Sequence, residues 1–224
     1  MRMRSHVAKV PPVHSSSEEI VLALHRDGIH DPRVIEAFRS VRREDFLPPE
    51  LADHAALDAP LPIGFDQVTT QPSLIARMVE ALRLTGHGHE RVLEVGTGCG
   101  YQTAILAHLA REVVSAERVR ELAARARANL RRAGVRNAKV IVADATRGLP
   151  KHAPFDAILL SAAAPEVPPA LASELVEGGR LVQPIGPGGD EVVWSFRKHE
   201  GALVQEQRLV RAFFVPLREG TPLT

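Results

Sequence analysis

Three glycines at alternate positions, Gly96, Gly98 and Gly100, separate an apolar, β-branched run from a helical pattern that starts at Tyr101. A glycine-rich turn between a strand and a helix is where open α/β sheets bind ligands, because glycine lets the backbone approach a bound molecule closely. Tyr101 stands where the dinucleotide-binding fingerprint has its third glycine, which disfavours a pyrophosphate-bound nicotinamide cofactor. The spacing therefore predicts a small-molecule site of another kind.

Acidic side chains stand at the predicted ends of three successive strands. Glu94 directly precedes the glycine turn, Glu117 follows Gly98 by nineteen residues, and Asp144 closes the third strand. These carboxylates would attract the amino and sulfonium groups of S-adenosylmethionine. Glu117 is placed to accept hydrogen bonds from ribose hydroxyls, and Asp144 from an adenine amino group. The alternative interpretation is that they are ordinary acids favoured by helix dipoles. The predicted cofactor-binding residues of this region are Glu94, Gly96, Thr97, Gly98, Gly100, Tyr101, Glu117, Arg118, Asp144 and Ala145.

Cysteine and histidine usage argues against redox and metal chemistry. Cys99 is the single cysteine, so the chain has no internal disulfide and suits a reducing compartment. We interpret Cys99 as a small residue of the glycine turn rather than as a nucleophile. His87 and His89 lie close together, but no matching set of cysteine or acidic ligands accompanies them. We therefore expect no metal.

The chain is nearly neutral, with 28 Lys and Arg against 27 Asp and Glu in 224 residues. This balance leaves no basic footprint of the kind that nucleic acids or anionic membranes bind. The segment 161–165 also lacks the polar and aromatic pair that base-methylating enzymes use on a flipped base. No run of about 18 apolar residues is present, and residues 1–12 lack the apolar segment of a secretory signal. We expect a cytoplasmic monomer that binds neither nucleic acid nor a membrane.

From residue 91 onward, short β-branched runs alternate with amphipathic helical patterns. Strict alternation predicts parallel strands joined by right-handed crossovers, hence a doubly wound α/β sheet. A hairpin-like turn at 198–201 predicts that the sheet ends in an antiparallel pair. With the glycine turn, this is the Rossmann-like plan of a class I methyltransferase. The predicted strands are 91–95, 112–117, 138–143, 155–161, 180–184, 192–197 and 208–215, and the predicted helices are 101–110, 119–133 and 169–176.

The chain before the glycine turn is predicted to hold an arm, two helices and a loop. Residues 1–17 are mixed polar, with prolines and serines that break any periodicity, and are predicted to be a flexible arm. Helical spacing predicts a first helix from about residue 18, and Asp31 with Pro32 marks the start of a second. Residues 48–72 lack periodicity and are predicted to form a long ordered loop, followed by a helix over 73–83. We expect one domain over 18–224, with a small N-terminal helical layer and substrate loop in 18–72 and the cofactor-binding core in 73–224.

Several segments share the sequence pattern of one enzyme family. They are 61–64 (Leu-Pro-Ile-Gly), 67–72 (Gln-Val-Thr-Thr-Gln-Pro), 93–102 (Leu-Glu-Val-Gly-Thr-Gly-Cys-Gly-Tyr-Gln), 162–163 (Ala-Ala) and 214–217 (Phe-Val-Pro-Leu). On these segments, and on 28–31 through 43–48 before them, the chain resembles the protein-L-isoaspartate O-methyltransferase family over about residues 20–217. The glycine turn is shared by many methyltransferases, so the stretch 61–72 is the part that distinguishes this family from the others.

The resemblance implies methylation, from S-adenosylmethionine, of the free carboxylate of L-isoaspartyl residues in damaged proteins and peptides. The ester then closes to a succinimide, which hydrolyses partly to normal aspartate. A carboxylate with a pKa near ~4 is ionised at neutral pH, so attack on the methyl group needs no general base and depends on alignment. The resemblance implies that Thr70 is the catalytic hydroxyl. The other residues that it implies are Gln67 and Thr69 for the cofactor, and Ile63, Gly64, Asp66, Val68 and Ala162 for the substrate.

The family's loop is close to Gly-x-Gly-Gln-Thr-Ile-Ser-x-Pro, and this chain departs from it at two functional positions. Thr70 replaces the serine, which retains a hydroxyl donor but adds a methyl group that stiffens the side chain. Asp66 replaces the second glycine and adds negative charge near a carboxylate substrate. Two alternatives stay open: an enzyme that methylates normal aspartate or another carboxylate in a dedicated substrate, and a module that binds S-adenosylmethionine without transfer. Thr69 and Thr70 as simple caps of the following helix are the structural alternative.

Overall fold

The computed structural model describes residues 15–86, 88–187, 189–218 and 220. Six α-helices lie in these ranges: α1 (Ser16–Arg26), α2 (Pro32–Ser40), α3 (Pro72–Ala81), α4 (Tyr101–Leu109), α5 (Arg120–Arg132) and α6 (Pro169–Glu174). The strands there are β1 (Leu61–Gly64), β2 (Gln67–Thr69), β3 (Arg91–Val95), β4 (Glu112–Glu117), β5 (Ala138–Val142), β6 (Phe155–Leu160), β7 (Leu175–Ile185), β8 (Glu191–His199) and β9 (Ala202–Ala212). Short 3-10 helices occupy Arg43–Phe46, Pro49–His54 and Ala145–Arg147.

The main sheet has seven strands in the order β5-β4-β3-β6-β7-β8-β9. The first five run parallel, while β8 is antiparallel to both of its neighbours. The predicted doubly wound sheet with an antiparallel end is therefore confirmed. Since β4 and β5 lie on one side of β3 and β6 lies on the other, the direction of winding reverses between β3 and β6, which is where such sheets bind ligands.

The central strands are buried on both faces, as their continuous apolar sequence predicts. Val92 and Leu93 are adjacent in β3, yet they belong to different core clusters, because successive side chains point to opposite faces of a sheet. The first cluster packs α1 to α5 against one face. The second includes Leu149 and Leu171 of the segments that cover the other face. This two-sided packing holds the strand tips, and hence the residues after them, in fixed positions.

Several boundaries differ from those predicted, and the last strand, β9, spans Ala202–Ala212 where 208–215 was predicted. The first helix begins at Ser16, because Ser15 and Glu18 form a capping box, so residues 16 and 17 belong to the helix and not to the arm. Residues 1–14 of the predicted arm lie outside the described residues. Within 48–72 the chain forms a 3-10 helix and an antiparallel hairpin of β1 and β2 rather than a loop alone. α6 ends at Glu174, and β7 follows at once and is longer than predicted.

None of the helices in the described ranges is both long and apolar enough to cross a membrane.

Candidate active site

A cavity of about 270 Å³ opens at the carboxyl ends of β3, β4, β5 and β6. Fifteen of the predicted site residues line it: Ile63, Asp66, Gln67, Val68, Thr69, Thr70, Gly96, Thr97, Gly98, Tyr101, Glu117, Arg118, Asp144, Ala145 and Ala162. Gly64, Glu94 and Gly100 do not line it. The fold thus brings the glycine turn, two strand-end acids and the hairpin of β1 and β2 around one space.

The glycine turn approaches the hairpin closely at Gly98. A Cβ atom built on Gly98 would lie 3.1 Å from Cδ1 of Ile63, and the φ angle is +54°. Gly100 has a φ of +92° and begins α4, and a Cβ there would lie 3.3 Å from Cγ of Leu130 in α5. Gly98 therefore shapes the cavity wall, whereas Gly100 acts through the backbone turn and the packing of α5.

Glu117 ties the glycine turn to the tip of β4. Its Oε2 accepts a hydrogen bond from the Gly98 amide at 2.9 Å, and its Oε1 accepts one from the Val119 amide at 2.9 Å. The residue is 7% exposed and faces the cavity. A carboxylate oxygen has two acceptor sites, so each oxygen retains capacity for a further donor on the cavity side.

Asp144 stands at the tip of β5 with both oxygens engaged locally. Its Oδ1 accepts hydrogen bonds from the Thr146 amide at 3.0 Å and the Thr146 hydroxyl at 2.6 Å, and its Oδ2 accepts one from the Gly220 amide at 2.8 Å. Burial tends to raise the pKa of Asp144, but these hydrogen bonds and the nearby Arg118 charge lower it overall. A carboxylate therefore faces this end of the cavity, tied to the C-terminal segment.

Glu94 lies beneath the cavity and not on its surface. The side chain is 0% exposed, and its oxygens accept hydrogen bonds from Gln102 Nε2 at 2.9 Å, Thr103 Oγ1 at 2.5 Å and Ser115 Oγ at 2.5 Å. Burial raises the pKa of Glu94 to about 7, and the three hydrogen bonds oppose that shift. Glu94 does not line the cavity, whereas Gln102, which donates to its carboxylate, does. A direct contact between Glu94 and a cofactor stays a prediction.

The hairpin of β1 and β2 covers one side of the cavity. Arg125 of α5 anchors it: Nη1 donates to the carbonyl oxygen of Ile63 at 2.7 Å, and the guanidinium lies 5.8 Å from the ring of Phe65. Thr69 is buried and Thr70 is partly buried, and both line the cavity. The hydroxyl of Thr69 donates to the carbonyl oxygen of Thr70 at 3.4 Å. The N-cap of α3 is Gln71, and no side chain caps the helix there, so neither threonine acts as the cap of α3.

A buried arginine holds the chain that leads to Thr70. Arg43 is 0% exposed and donates to the carbonyl oxygens of Leu57 at 2.6 Å and Ala59 at 2.9 Å, with a longer contact to that of Thr70 at 3.5 Å. Its guanidinium lies 5.9 Å from the ring of Tyr101. Burial lowers the pKa of Arg43. Arg43 therefore connects the N-terminal layer, the loop before the hairpin and the helix after the glycine turn.

Cys99 lines the cavity as a buried residue of the glycine turn. Burial raises the pKa of its thiol, with an amide hydrogen bond acting against that shift. A neutral, buried thiol suits a packing role. Within the described ranges, no group of three or more histidine, cysteine or acidic side chains is placed to hold a metal ion, and His87 lies outside those ranges.

Sequence reasoning missed several residues that line the cavity. Gln102 and Ser161 are polar, and Nε2 of Gln102 donates to Oγ of Ser161 at 2.8 Å. The segment 215–218 closes another side, where Leu217 donates its amide to the carbonyl oxygen of Ala163 at 2.6 Å. Gln102 and most of this segment fall inside the motifs that carry the family resemblance. The sequence therefore contained these residues in its motifs, but it gave no function to them individually.

A second space, here called the side groove, adjoins the cavity beside α3 and the end of β9. It has a volume of about 520 Å³, and its wall includes Leu74, Arg77 and the exposed Phe213. Val68, Thr70, Ser161 and Val215 line both the side groove and the cavity. The two spaces therefore meet at these four residues.

Residues 15–221 match the family described as Protein-L-isoaspartate(D-aspartate) O-methyltransferase. The chain belongs to this family. It is 48% identical over 204 residues to a protein-L-isoaspartate O-methyltransferase of Burkholderia mallei, with 91% of this chain and 63% of that protein covered. It is 47% identical over 205 residues to one of Burkholderia ambifaria, with 91% and 66% covered. The chain thus spans less than two thirds of the length of these isoaspartyl methyltransferase relatives.

Solved structures of the isoaspartyl methyltransferase family share the fold. A protein-L-isoaspartate O-methyltransferase structure has a TM-score of 0.80 and 28% identity, covering 92% of this chain and 67% of that one. A putative family member from Plasmodium falciparum, in complex with S-adenosyl-L-homocysteine, has a TM-score of 0.78 and 24% identity, covering 92% and 100%. The likeness therefore extends through the N-terminal layer as well as the sheet.

The backbone conformation of the hairpin turn accommodates Asp66, which departs from the family's loop pattern. Gly64, Phe65 and Asp66 have φ angles of 87°, 57° and 54° in the turn of the hairpin. Asp66, where the isoaspartyl methyltransferase pattern has glycine, thus adopts a left-handed conformation that glycine takes without strain and aspartate takes more readily than most residues. Asp66 can therefore replace glycine without loss of the turn, and the residue lines the cavity.

Proposed function

We propose that the protein transfers the methyl group of S-adenosylmethionine to the free carboxylate of L-isoaspartyl residues in damaged proteins and peptides. The observation that carries this proposal is one cavity in which the acids at the tips of β4 and β5 face a hairpin that bears Thr70. Membership of the isoaspartyl methyltransferase family supports the reaction class.

The residues of the cavity fit an adenosyl cofactor. Glu117 supplies a buried carboxylate with remaining acceptor capacity, which suits the paired hydroxyls of a ribose. Val119, Leu122 and Ala145 supply an apolar surface beside Asp144, which suits a purine ring with a polar edge. When bound, S-adenosylmethionine supplies a methyl group on a positively charged sulfonium. The backbone of the glycine turn can then lie close to the cofactor, and the turn lacks the pattern that binds a pyrophosphate.

The protein's own part in the reaction is to align two reactants. A substrate carboxylate is ionised at neutral pH, because its pKa lies near ~4, so no residue needs to remove a proton. Thr70 stands on the wall between the cavity and the side groove, and its assigned role is to donate its hydroxyl to the substrate carboxylate. Holding an oxygen in line with the methyl group at about 3 Å is the contribution that such a site makes.

Methyl transfer to a pair of peptides that differ only in the aspartyl linkage tests the proposal. With labelled cofactor, we expect transfer to the isoaspartyl peptide and little to its normal aspartyl twin. Thr70→Ser keeps the hydroxyl and Thr70→Val keeps the shape, so the serine variant should retain the rate and the valine variant should lose about tenfold or more. Equal transfer to both peptides would favour a carboxyl methyltransferase of other specificity. Binding of S-adenosylhomocysteine without transfer to either peptide would favour a non-catalytic module.

The proposal includes a cytoplasmic monomer without a nucleic-acid partner. The single free, buried cysteine suits a reducing compartment. A net charge of +1 gives no electrostatic basis for a polyanion partner. Elution of the purified chain at the volume of a dimer, or retention on duplex DNA at physiological salt, would contradict these points.

A further inference from the structure

The wall between the cavity and the side groove carries two hydroxyl groups. Of the four residues that line both spaces, Val68 and Val215 are apolar, while Thr70 and Ser161 bear hydroxyls. Thr70 comes from the end of the hairpin and Ser161 from the tip of β6, so the two hydroxyl-bearing residues reach the junction from different elements. A group that enters from the side groove toward the cavity therefore passes both.

Ser161 is held in place by the strand tip and by Gln102. Its amide donates to the carbonyl oxygen of Val95 at 2.9 Å, which fixes the backbone beside β3. Its Oγ lies 2.8 Å from Nε2 of Gln102, and the same Nε2 lies 2.9 Å from Oε1 of Glu94. An amide nitrogen has two hydrogens, so both are used in these contacts.

This arrangement fixes which atom donates. The nitrogen of the Gln102 amide, and not its oxygen, faces Glu94: Nε2 donates to Oε1 at 2.9 Å, while the hydroxyls of Thr103 and Ser115 donate to Oε2. Ser161 Oγ is consequently the acceptor in its bond with Gln102. Among the described residues, no acceptor within hydrogen-bond distance takes the Ser161 hydroxyl proton. That proton is therefore available to an acceptor at the junction.

We propose that Ser161 is a second hydroxyl donor to the substrate carboxylate, and that Gln102, held by Glu94, is the positioning residue that aims it. The inference rests on the proposed function. A carboxylate accepts hydrogen bonds and donates none, so two hydroxyls can hold one of its oxygens and leave the other free to attack. In the reaction, the attacking oxygen forms a bond to the methyl carbon while the carbon–sulfur bond breaks and its electron pair goes to sulfur. Ser161 and Thr70 keep their protons throughout.

Steady-state kinetics with the isoaspartyl peptide, together with calorimetric titration of S-adenosylhomocysteine, tests the role of Ser161. Ser161→Ala should lower kcat/KM by about tenfold to a hundredfold, because it removes a hydrogen bond to a charged group. The affinity for S-adenosylhomocysteine should stay within about twofold, since the serine serves the substrate side; for scale, a tenfold change in affinity is 1.4 kcal/mol. Ser173→Ala, an exposed serine of α6, is the matched control and should leave both quantities unchanged.

A double-mutant cycle tests the role of Gln102. Gln102→Leu should lower kcat/KM in the parent protein, yet it should cause no further loss in the Ser161→Ala background, because the hydroxyl that it aims is gone. An equal loss in both backgrounds would assign Gln102 to general packing and overturn its positioning role.

Three outcomes overturn the proposal for Ser161. The first is a parental kcat/KM in Ser161→Ala, and the second is a loss of S-adenosylhomocysteine affinity as large as the loss of kcat/KM. The third is a parent protein that methylates no isoaspartyl peptide, which would end the proposed function and this inference together. A parent that methylates the peptide while Ser161→Ala matches it would end this inference alone.

Discussion

Substitution of Glu117 gives the sharpest test of the cofactor side, because this carboxylate has both a structural and a predicted binding role. It accepts the amides of Gly98 and Val119 at 2.9 Å each and faces the cavity. Glu117→Ala removes both oxygens. Glu117→Gln keeps one oxygen, but its NH₂ group must face one of the two backbone amides. The two variants therefore remove different amounts of the same interaction.

The expected loss follows from the number of hydrogen bonds. A hydrogen bond to a charged group contributes about 1.5–3 kcal/mol. Loss of two such bonds to ribose hydroxyls in Glu117→Ala should weaken S-adenosylhomocysteine binding by at least about a hundredfold, and loss of one in Glu117→Gln by about tenfold. Without ligand, Glu117→Ala should also lower the free energy of unfolding by about 1–3 kcal/mol, because the amides of Gly98 and Val119 lose their acceptor.

Isothermal titration with S-adenosylhomocysteine measures the first effect, and urea denaturation of the ligand-free protein measures the second. Glu121→Gln is the matched control, since Glu121 is an exposed acid in the first turn of α5. It should bind as the parent does. If Glu117→Ala bound S-adenosylhomocysteine with the affinity of the Glu121 control, the ribose would not lie at the tip of β4 and the cofactor assignment would fail.

Two further predictions concern buried charges. Burial raises the pKa of Glu94 from 4.5 to about 7, so the folded protein holds this proton more tightly and the free energy of unfolding should fall by about 3 kcal/mol as pH rises from about 4.5 past 7. Urea titrations should show the difference in stability between the parent and Glu94→Gln changing across this range; a difference independent of pH would contradict the buried setting. Arg43→Met should cost about 2–4 kcal/mol in the same assay, because the carbonyl oxygens of Leu57 and Ala59 lose their charged donor. Arg43→Lys should lie between the parent and Arg43→Met. An unfolding midpoint for Arg43→Met equal to that of the parent would contradict the structural role of Arg43.

The sheet and the placement of the glycine turn could be predicted because their signals are local. Continuous apolar runs mark strands buried on both faces, and strict alternation with helical patterns fixes their parallel pairing. The strand-end position of Glu117 and Asp144 then follows, since the carboxyl ends of parallel strands meet at one edge. Both residues line the cavity.

The hairpin of β1 and β2 could not be predicted from the same kinds of signal. Its turn places Phe65 and Asp66 at positive φ, where the usual hairpin sequence has asparagine or glycine. The short strands also contain Pro62, which argues against a strand. The contacts that stabilise this hairpin come from Arg125, far along the chain.

The direction of the Glu94 side chain also depended on tertiary structure. A strand-end acid can face the ligand or the layer beneath it, and the sequence does not distinguish the two. The hydroxyls of Thr103 and Ser115, brought together by α4 and β4, bind the carboxylate below the cavity. The polar residue that lines the cavity next to it is Gln102, which lies in the family motif but is not among the predicted site residues.

A crystal structure of the protein with S-adenosylhomocysteine and an isoaspartyl peptide tests the central claim most directly. The account predicts ribose hydroxyls within hydrogen-bond distance of Glu117, and the peptide carboxylate beside Thr70 at the junction of the cavity and the side groove. An adenosyl group bound elsewhere, or a Thr70 hydroxyl turned away from the carboxylate, would contradict it.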